Sequence, residues 1–324
     1  MNTGRALTSS VFVTGANGFI GRHLCQRLER RGFTVTRAVR RTAACSAANR
    51  SVATGDLAAC ERLAALLAGH EVVVHLAGRA HVLKETAPNP YSAFEQANVI
   101  ATARLAQAAV VAGVRRFVFV SSIGVFGDRA TGPLNESNAP APRGPYAESK
   151  LRAERVLTEI GGRTSLETVI VRPPLVYGPH CSGNMARLVR LVASGIPLPL
   201  GGFTDKRSFI GVDNLCALIE SVIRHPAAAG ETFVAADGED VSLPQLIHYL
   251  ADGLGVHARL FRVPVLMLRL AASLIGQRAT LAKLTAPLRV DITKARELLG
   301  WSAEVSVAEG LRATGRSFIA AEMC

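Results

Sequence analysis

Tyr146 and Lys150 stand four residues apart in "PYAESK", and the stretch that follows, "LRAERVL", continues with helical periodicity. On a helix, side chains at i and i+4 share one face within a turn. A free phenol, with a pKa of about 10, is a poor base near neutrality, but an adjacent ammonium favours the phenolate and lowers that value. The spacing therefore predicts a pair able to exchange a proton with a carbinol or carbonyl oxygen while hydride moves at the attached carbon. The same Y-x-x-x-K spacing arises by chance in helices that do no chemistry. It gains meaning from a second feature about 130 residues upstream.

That feature is "VFVTGANGFIGRHL", residues 11–24, where a β-branched run breaks into Gly15, Gly18 and Gly21 and resumes as a helix. In a strand-turn-helix unit the first glycine permits the tight turn. The second lets a pyrophosphate approach the backbone, and the third lets helix and strand pack closely. The free amides of the helix N-terminus, those of Phe19 and Ile20, then face the anion. The next strand, "FTVTRAV", runs into Arg40 and Arg41. An NAD site usually places Asp or Glu near there, about 20 residues past the glycines, to accept from a ribose hydroxyl. Arg40 could instead clamp the 2′-phosphate of NADP through its planar donors. The alternative is a solvent-facing pair of arginines, so NAD and NADP both stay open, with Arg40 favouring NADP.

The elements that must position these residues are legible as alternation. Short apolar runs at "VFVTG", "FTVTRAV", "EVVVHLAG", "RRFVFVSS" and "ETVIVRPP" are separated by Ala/Leu/Arg-rich stretches long enough for helices. Strands buried on both faces read this way, so the pattern predicts an α/β fold: a Rossmann-type doubly wound parallel sheet. A dinucleotide-binding domain is expected over residues 1–174, and a smaller substrate-binding lobe over most of 175–324. The chain is expected to return to the first domain over about 205–235, through a helix near Asp213–His225 and a strand at "TFVAADG". "AACSAANRSVATG" reads as a variable loop. Hydrophobic residues at 49% and charged residues at 19% suit a packed globular protein. The net charge of +12 attracts polyanions, but no run of five like charges occurs, and nucleic acid is not the expected partner. Six scattered cysteines show neither zinc spacing nor disulfide density, so no metal is expected, and with no apolar signal core at the N-terminus the reading is cytoplasmic. Val263–Gly276 is apolar for 14 residues but holds Arg269 and is too short to span a bilayer. It reads as a buried or interface helix, or else as a membrane-surface contact without stable insertion.

The G-x-x-G-x-x-G spacing of "TGANGFIG", together with Y-x-x-x-K, resembles the extended branch of the short-chain dehydrogenase/reductase superfamily, the NAD-dependent epimerase/dehydratase family, over nearly the whole chain. The resemblance implies that Asp56 and Leu57 of "TGDL" meet the adenine, that Ala77 of "HLAG" lies beside the cofactor and that Tyr146 and Lys150 also contact it, whereas His75 is better read as a packed, hydrogen-bonded residue. Aligning "VFG" (Val125–Gly127) with the family's V-Y-G triplet makes Ser122 the catalytic hydroxyl, and Asn98 the fourth position, supporting the lysine; a locally bonded Asn98 is the plainer alternative. Ile123 and Gly124 stand where 4,6-dehydratases of the family carry Asp-Glu, which argues against dehydration. Asn184 and Arg207 match positions near a substrate diphosphate and nucleotide, and Arg289 could add a second cation to the diphosphate, each with a plainer reading as a helix cap or surface charge. Leu175 and Ser208 depart from the family pattern there, where Asn and Asp are usual.

The resemblance implies hydride exchange at C4 of a nucleotide-diphosphate sugar. One form is a UDP-hexose 4-epimerase; the other is an NADPH-dependent reductase of a UDP-4-keto-6-deoxy sugar, each in a possible homodimer. A dehydrogenase of apolar hydroxyl compounds and a non-catalytic dinucleotide sensor are the remaining rivals; sensors often lose the tyrosine and lysine that this chain keeps.

Overall fold

A computed structural model describes residues 10–41, 50–80, 88–127, 132–264, 267–268, 270, 273 and 287–322. Its centre is a seven-stranded sheet built from β1 (Ser10–Thr14), β2 (Thr34–Val39), β3 (Ser51–Ala53), β4 (Val72–His75), β5 (Arg116–Val120), β6 (Glu167–Arg172) and β10 (Thr232–Val234). The order is β10-β6-β5-β4-β1-β2-β3, and every pairing is parallel. The strands are apolar on successive residues because both faces are covered. Val11, Val13 and Val74 pack under α1 (Phe19–Arg30) and α7 (Val212–Arg224), against Leu24, Leu28 and Ile219. Phe12, Val73 and Phe117 pack on the other face, against Leu105 of α4 (Ala101–Val111) and Leu157 of α5 (Gly144–Arg163). Strand order reverses between β1 and β4, and crevices at such switch points, beyond the strands' carboxyl ends, are where ligands settle in this architecture.

Three short strands depart from the expectation. β3 lies inside "AACSAANRSVATG": Ser51, Val52 and Ala53 pair with Arg37, Ala38 and Val39, although the segment reads as a loop. Three residues are too few to show a period, so pairing with β2 decides their conformation. Residues 42–49 fall outside the described set. In the second lobe, β8 (Lys206–Ser208) pairs antiparallel with β11 (Asp240–Ser242).

Residues past 205 divide between the layers. α7 packs on α1 and β10 extends the main sheet beside β6. The other lobe gathers α6 (Gly183–Ala193), α8 (Leu243–Leu254) and α10 (Val307–Glu322) around Tyr177, Leu188, Ile247 and Leu311. α8 begins with a capping box in which the Ser242 hydroxyl accepts from the Gln245 amide and the Gln245 side chain accepts from the Ser242 amide, satisfying two otherwise orphaned donors. α9 (Thr293–Leu299) lies near β10.

One carboxylate ties the layers together. Asp237 accepts from the Tyr177 hydroxyl (2.7 Å), the Gly211 amide (2.9 Å) and Asn214 Nδ2 (2.7 Å). Those partners belong to β7 (Val176–Tyr177), β9 (Ile210–Gly211) and α7. Most of Val263–Gly276 lies outside the described residues; of its described members, Met267 and Leu270 are exposed while Leu268 packs against the lobe core.

Candidate active site

Around the turn after β1, neither Gly15 nor Gly21 has room for a side chain. Gly15 sits at φ +68°, and a Cβ there would lie 2.8 Å from the Ala77 amide nitrogen, while a Cβ on Gly21 would lie 2.2 Å from the Gly15 carbonyl oxygen. The first glycine thus lets β1 and the end of β4 approach, and the third lets α1 seat on the turn. Gly18 is the N-cap of α1, and no side chain caps it, so the first-turn amides of Phe19 and Ile20 are not taken by a capping residue. The side chains of Phe19 and Ile20 turn to the core instead.

Beyond the ends of β1, β2 and β4 lies a cleft of ≈ 830 Å³ lined by Gly15, Gly18, Arg40, Asp56, Leu57 and Ala77, among others. Arg40 and Arg41 are exposed at its β2 end, where an adjoining basin adds Arg62 and Glu61. Asp56 accepts from the Ala58 amide at 3.0 Å. The cradle therefore fits a dinucleotide: bare backbone and uncapped amides for a diphosphate at one point, and a half-polar wall at the other.

At the carboxyl end of β5, Ser122 accepts from the Gly124 amide at 3.1 Å, and its hydroxyl is near enough to the Tyr146 phenol to act on its pKa. Tyr146 enters from the first turn of α5, with its ring edge-on to Phe94 at 6.1 Å. Lys150, one turn further along α5, is buried; its Nζ donates to the Val120 carbonyl at 2.9 Å and lies 4.5 Å above the Phe119 ring. Helical spacing thus brings Ser122, Tyr146 and Lys150 to the end of one strand.

The electrostatics differ from the expectation of a lysine-lowered phenol. Burial raises the pKa of Tyr146, and the Ser122 hydroxyl is the only opposing influence; Lys150 is not among the causes. Lys150 is itself pushed down to about 8 by burial, with the Glu154 carboxylate acting in the other direction. An ammonium aimed at a carbonyl oxygen and an aromatic face spends its field there.

A stability consequence follows. Because the folded pKa lies below the unfolded 10.5, the folded state binds fewer protons between about pH 8 and 10.5, so this position's penalty is full below pH 8 and is relieved as pH rises through that window. Lys150→Met, which keeps the volume, is expected to stabilise the protein at pH 7 by up to ~3 kcal/mol, with the gain vanishing near pH 10.5. Urea unfolding at both pH values checks this, and an equal gain at each would remove burial of the charge as its origin.

Asn98 is buried, on a wide helical turn (Glu95–Ile100) that continues α3 (Pro90–Phe94). Its Oδ1 accepts from the Arg79 amide (2.7 Å), and its Nδ2 donates to the Arg79 carbonyl (3.2 Å) and to Ser149 Oγ (2.9 Å). It therefore clamps the segment after β4 to α5. Gly78 makes that possible, since a Cβ there would stand 2.9 Å from Asn98 Oδ1 and 3.5 Å from Lys150 Nζ. Sequence reasoning passed over Gly78, although it sits in the quoted "HLAG"; a glycine at a strand end beside the cleft was the available signal. His75 is wholly buried between Thr14 Oγ1 (2.6 Å) and Thr102 Oγ1 (3.0 Å), and burial, then Lys150, pushes its pKa down to about 3. It is a neutral packing residue.

The residues expected to hold substrate are further apart. Asn184 is half-buried in the first turn of α6, whose N-terminus has no side-chain cap. Arg207, on β8, pairs across the ladder with Val241 and bridges to Leu288, and burial lowers its pKa. Arg289 is exposed but engaged: its Nε donates to Asp240 Oδ2 at 2.8 Å. The sequence reading gave that arginine no protein partner. The Ser208 hydroxyl bonds the other oxygen of Asp240 and accepts from the Val290 amide at 2.8 Å, so this departure from the family pattern has a structural use.

Residues 11–236 match the NAD dependent epimerase/dehydratase family. The chain belongs to that family. It is 36% identical to a UDP-glucose 4-epimerase of Vibrio cholerae, the match covering 98% of each chain. It is 27% identical to a GDP-6-deoxy-D-mannose reductase of Pseudomonas aeruginosa, over 95% of this chain and 96% of the other. Among solved structures, MoeE5 in complex with UDP-glucuronic acid and NAD superposes with a TM-score of 0.79 at 27% identity, over 97% of this chain and all of that one. Family membership agrees with the glycine turn and the seven-stranded parallel sheet.

Proposed function

We propose that this family member is an NAD(P)-dependent epimerase acting at C4 of a UDP-hexose. The observation that carries the reading is the convergence of Ser122, Tyr146 and Lys150 at the end of β5, beside a glycine-built cleft at the β1/β4 switch point. Full-length similarity to a UDP-glucose 4-epimerase supports the choice of sugar. When bound, the nicotinamide would supply the hydride acceptor and donor. Gly15, Gly18, Gly21 and the amides of Phe19 and Ile20 would hold its diphosphate; Asp56, Leu57 and Ala77 would line the remainder. Tyr146 would move the proton at the C4 oxygen, Ser122 would hold that oxygen by a hydrogen bond, and Lys150 would supply positive charge below about pH 8, with Asn98 fixing the segment under it. Asn184, Arg207 and Arg289 are the proposed contacts to the nucleotide diphosphate, where planar guanidinium donors suit paired oxygens.

Two observations favour a second reading, reduction of a 4-keto sugar with NADPH. Arg40 and Arg41 stand where an NAD site would carry a carboxylate, and the Tyr146 phenol is held protonated, ready to donate. Purified protein offered UDP-glucose, UDP-galactose, their N-acetyl forms and 4-keto-6-deoxy derivatives separates the two. Interconversion of C4 epimers without net change in added cofactor is the expected result. Stoichiometric NADPH consumption would install the reductase, and turnover of none of these sugars would overturn both.

A further inference from the structure

We propose that one flank of the second lobe docks on an anionic lipid surface, lying in the headgroup region without crossing the bilayer. The inference is independent of the sugar-nucleotide reading, because its test needs no turnover. Residues 196–202 and 259–263 run side by side: the Leu198 amide donates to the Arg259 carbonyl (2.7 Å), the Phe261 amide to Leu198 (3.1 Å) and the Gly201 amide to Phe261 (3.1 Å). Leu198, Leu260 and Leu268 turn inward to the lobe core. Their neighbours turn outward, leaving Ile196 51%, Phe261 47%, Met267 60% and Leu270 59% exposed. Four large apolar side chains left exposed on two neighbouring segments and the stretch that follows them need an explanation that a single one does not.

Charge supplies it. Among the described residues, 253–264 carry Arg259 and Arg262 and no Asp or Glu, and 181–204 carry two Arg and no carboxylate, in a chain whose net charge is +12. Arg259 and Arg262 are exposed on either side of Leu260 and Phe261, and Arg187 and Arg190 are exposed on α6. Arg289 is engaged by Asp240. An apolar row rimmed by cations fits the boundary between lipid headgroups and acyl chains, where apolar burial and attraction to acidic lipids add. Nucleic acid is a poorer fit, because Phe261 is the one aromatic side chain in the row and single strands are held by serial stacking. No helix among the described residues is long and apolar enough to cross a membrane, which is consistent with a surface contact.

The test is co-sedimentation of the full chain with vesicles of phosphatidylcholine alone or mixed with phosphatidylglycerol. Binding is expected only to the mixed vesicles, weakening as salt is raised. Arg259→Gln with Arg262→Gln should lower the partition coefficient about thirtyfold, at roughly a fivefold loss per cation. Phe261→Ser with Met267→Ser should lower it by about tenfold or more. Arg30→Gln with Arg163→Gln removes the same charge away from the row and should change it little. Thermal unfolding by circular dichroism identifies any variant that fails to fold, in which case Ile196→Ser and Leu270→Ser replace it. An equal loss in the charge-matched control, binding to neutral vesicles as strong as to acidic ones, or unchanged binding in the row variants overturns the proposal. So does loss of self-association in the row variants without loss of vesicle binding, which would assign the surface to a second copy of this chain.

Discussion

Tyr146→Phe is expected to lower turnover of the nucleotide sugar by about a hundred- to ten-thousand-fold, the range over which a positioned proton donor or acceptor accelerates a reaction. The substitution keeps the ring against Phe94 and removes only the hydroxyl near Ser122. Cofactor affinity should stay nearly unchanged, because the side chains and glycines that line the dinucleotide cleft, Gly15, Gly18, Asp56 and Leu57 among them, are untouched. Fluorescence titration of bound NADH or NADPH, alongside turnover, separates the two quantities. Turnover within tenfold of the parent would remove the phenol from the mechanism, and a parallel loss of cofactor affinity would recast it as a binding residue.

Glu154→Gln is expected to destabilise the fold by about 3–5 kcal/mol, the usual consequence of stripping one partner from a buried ion pair. Glu154 sits one turn beyond Lys150 on α5, and its two carboxylate oxygens take Arg172 Nε at 3.0 Å and Nη2 at 2.6 Å. Both residues are buried, and the glutamine amide would keep one acceptor oxygen but no counter-charge, leaving the guanidinium uncompensated beside the face of Phe126 at 4.8 Å, a contact worth about 0.5–2 kcal/mol. Glu154→Met together with Arg172→Met should recover most of the loss, since an apolar pair needs no counter-charge. Urea unfolding of the two variants checks this; a single variant within 1 kcal/mol of the parent would mean that water or another group reaches Arg172. Removing Glu154 also withdraws the one influence that raises the Lys150 pKa, so that ammonium should titrate below 8 in Glu154→Gln.

Sequence reading was strongest where a local period or a single residue type fixes the outcome. Gly15 and Gly21 could be read because only a bare backbone tolerates those approaches, and Tyr146 with Lys150 because four residues make about one helical turn. The apolar runs of β1, β4 and β5 announced a doubly covered sheet. What escaped was non-local. Three residues of β3 become a strand only beside β2. Arg289 gave no sign of being held by Asp240, 49 positions away, nor Glu154 of holding Arg172. The pKa of Tyr146 was misjudged for the same reason: spacing told which residues are neighbours, but burial and the aim of the ammonium toward Val120 decide the sign of the shift.

The Asp237 node has a consequence for how this protein comes apart. Its three bonds fasten β7, β9 and α7 to the segment leaving β10, so the edge strand of the great sheet and the floor of the smaller lobe end at one anion. Neither portion can loosen without stranding a buried carboxylate that the other had satisfied. The two portions are therefore expected to loosen together, and the crossover region acts as a rivet where a chain diagram alone would suggest a hinge.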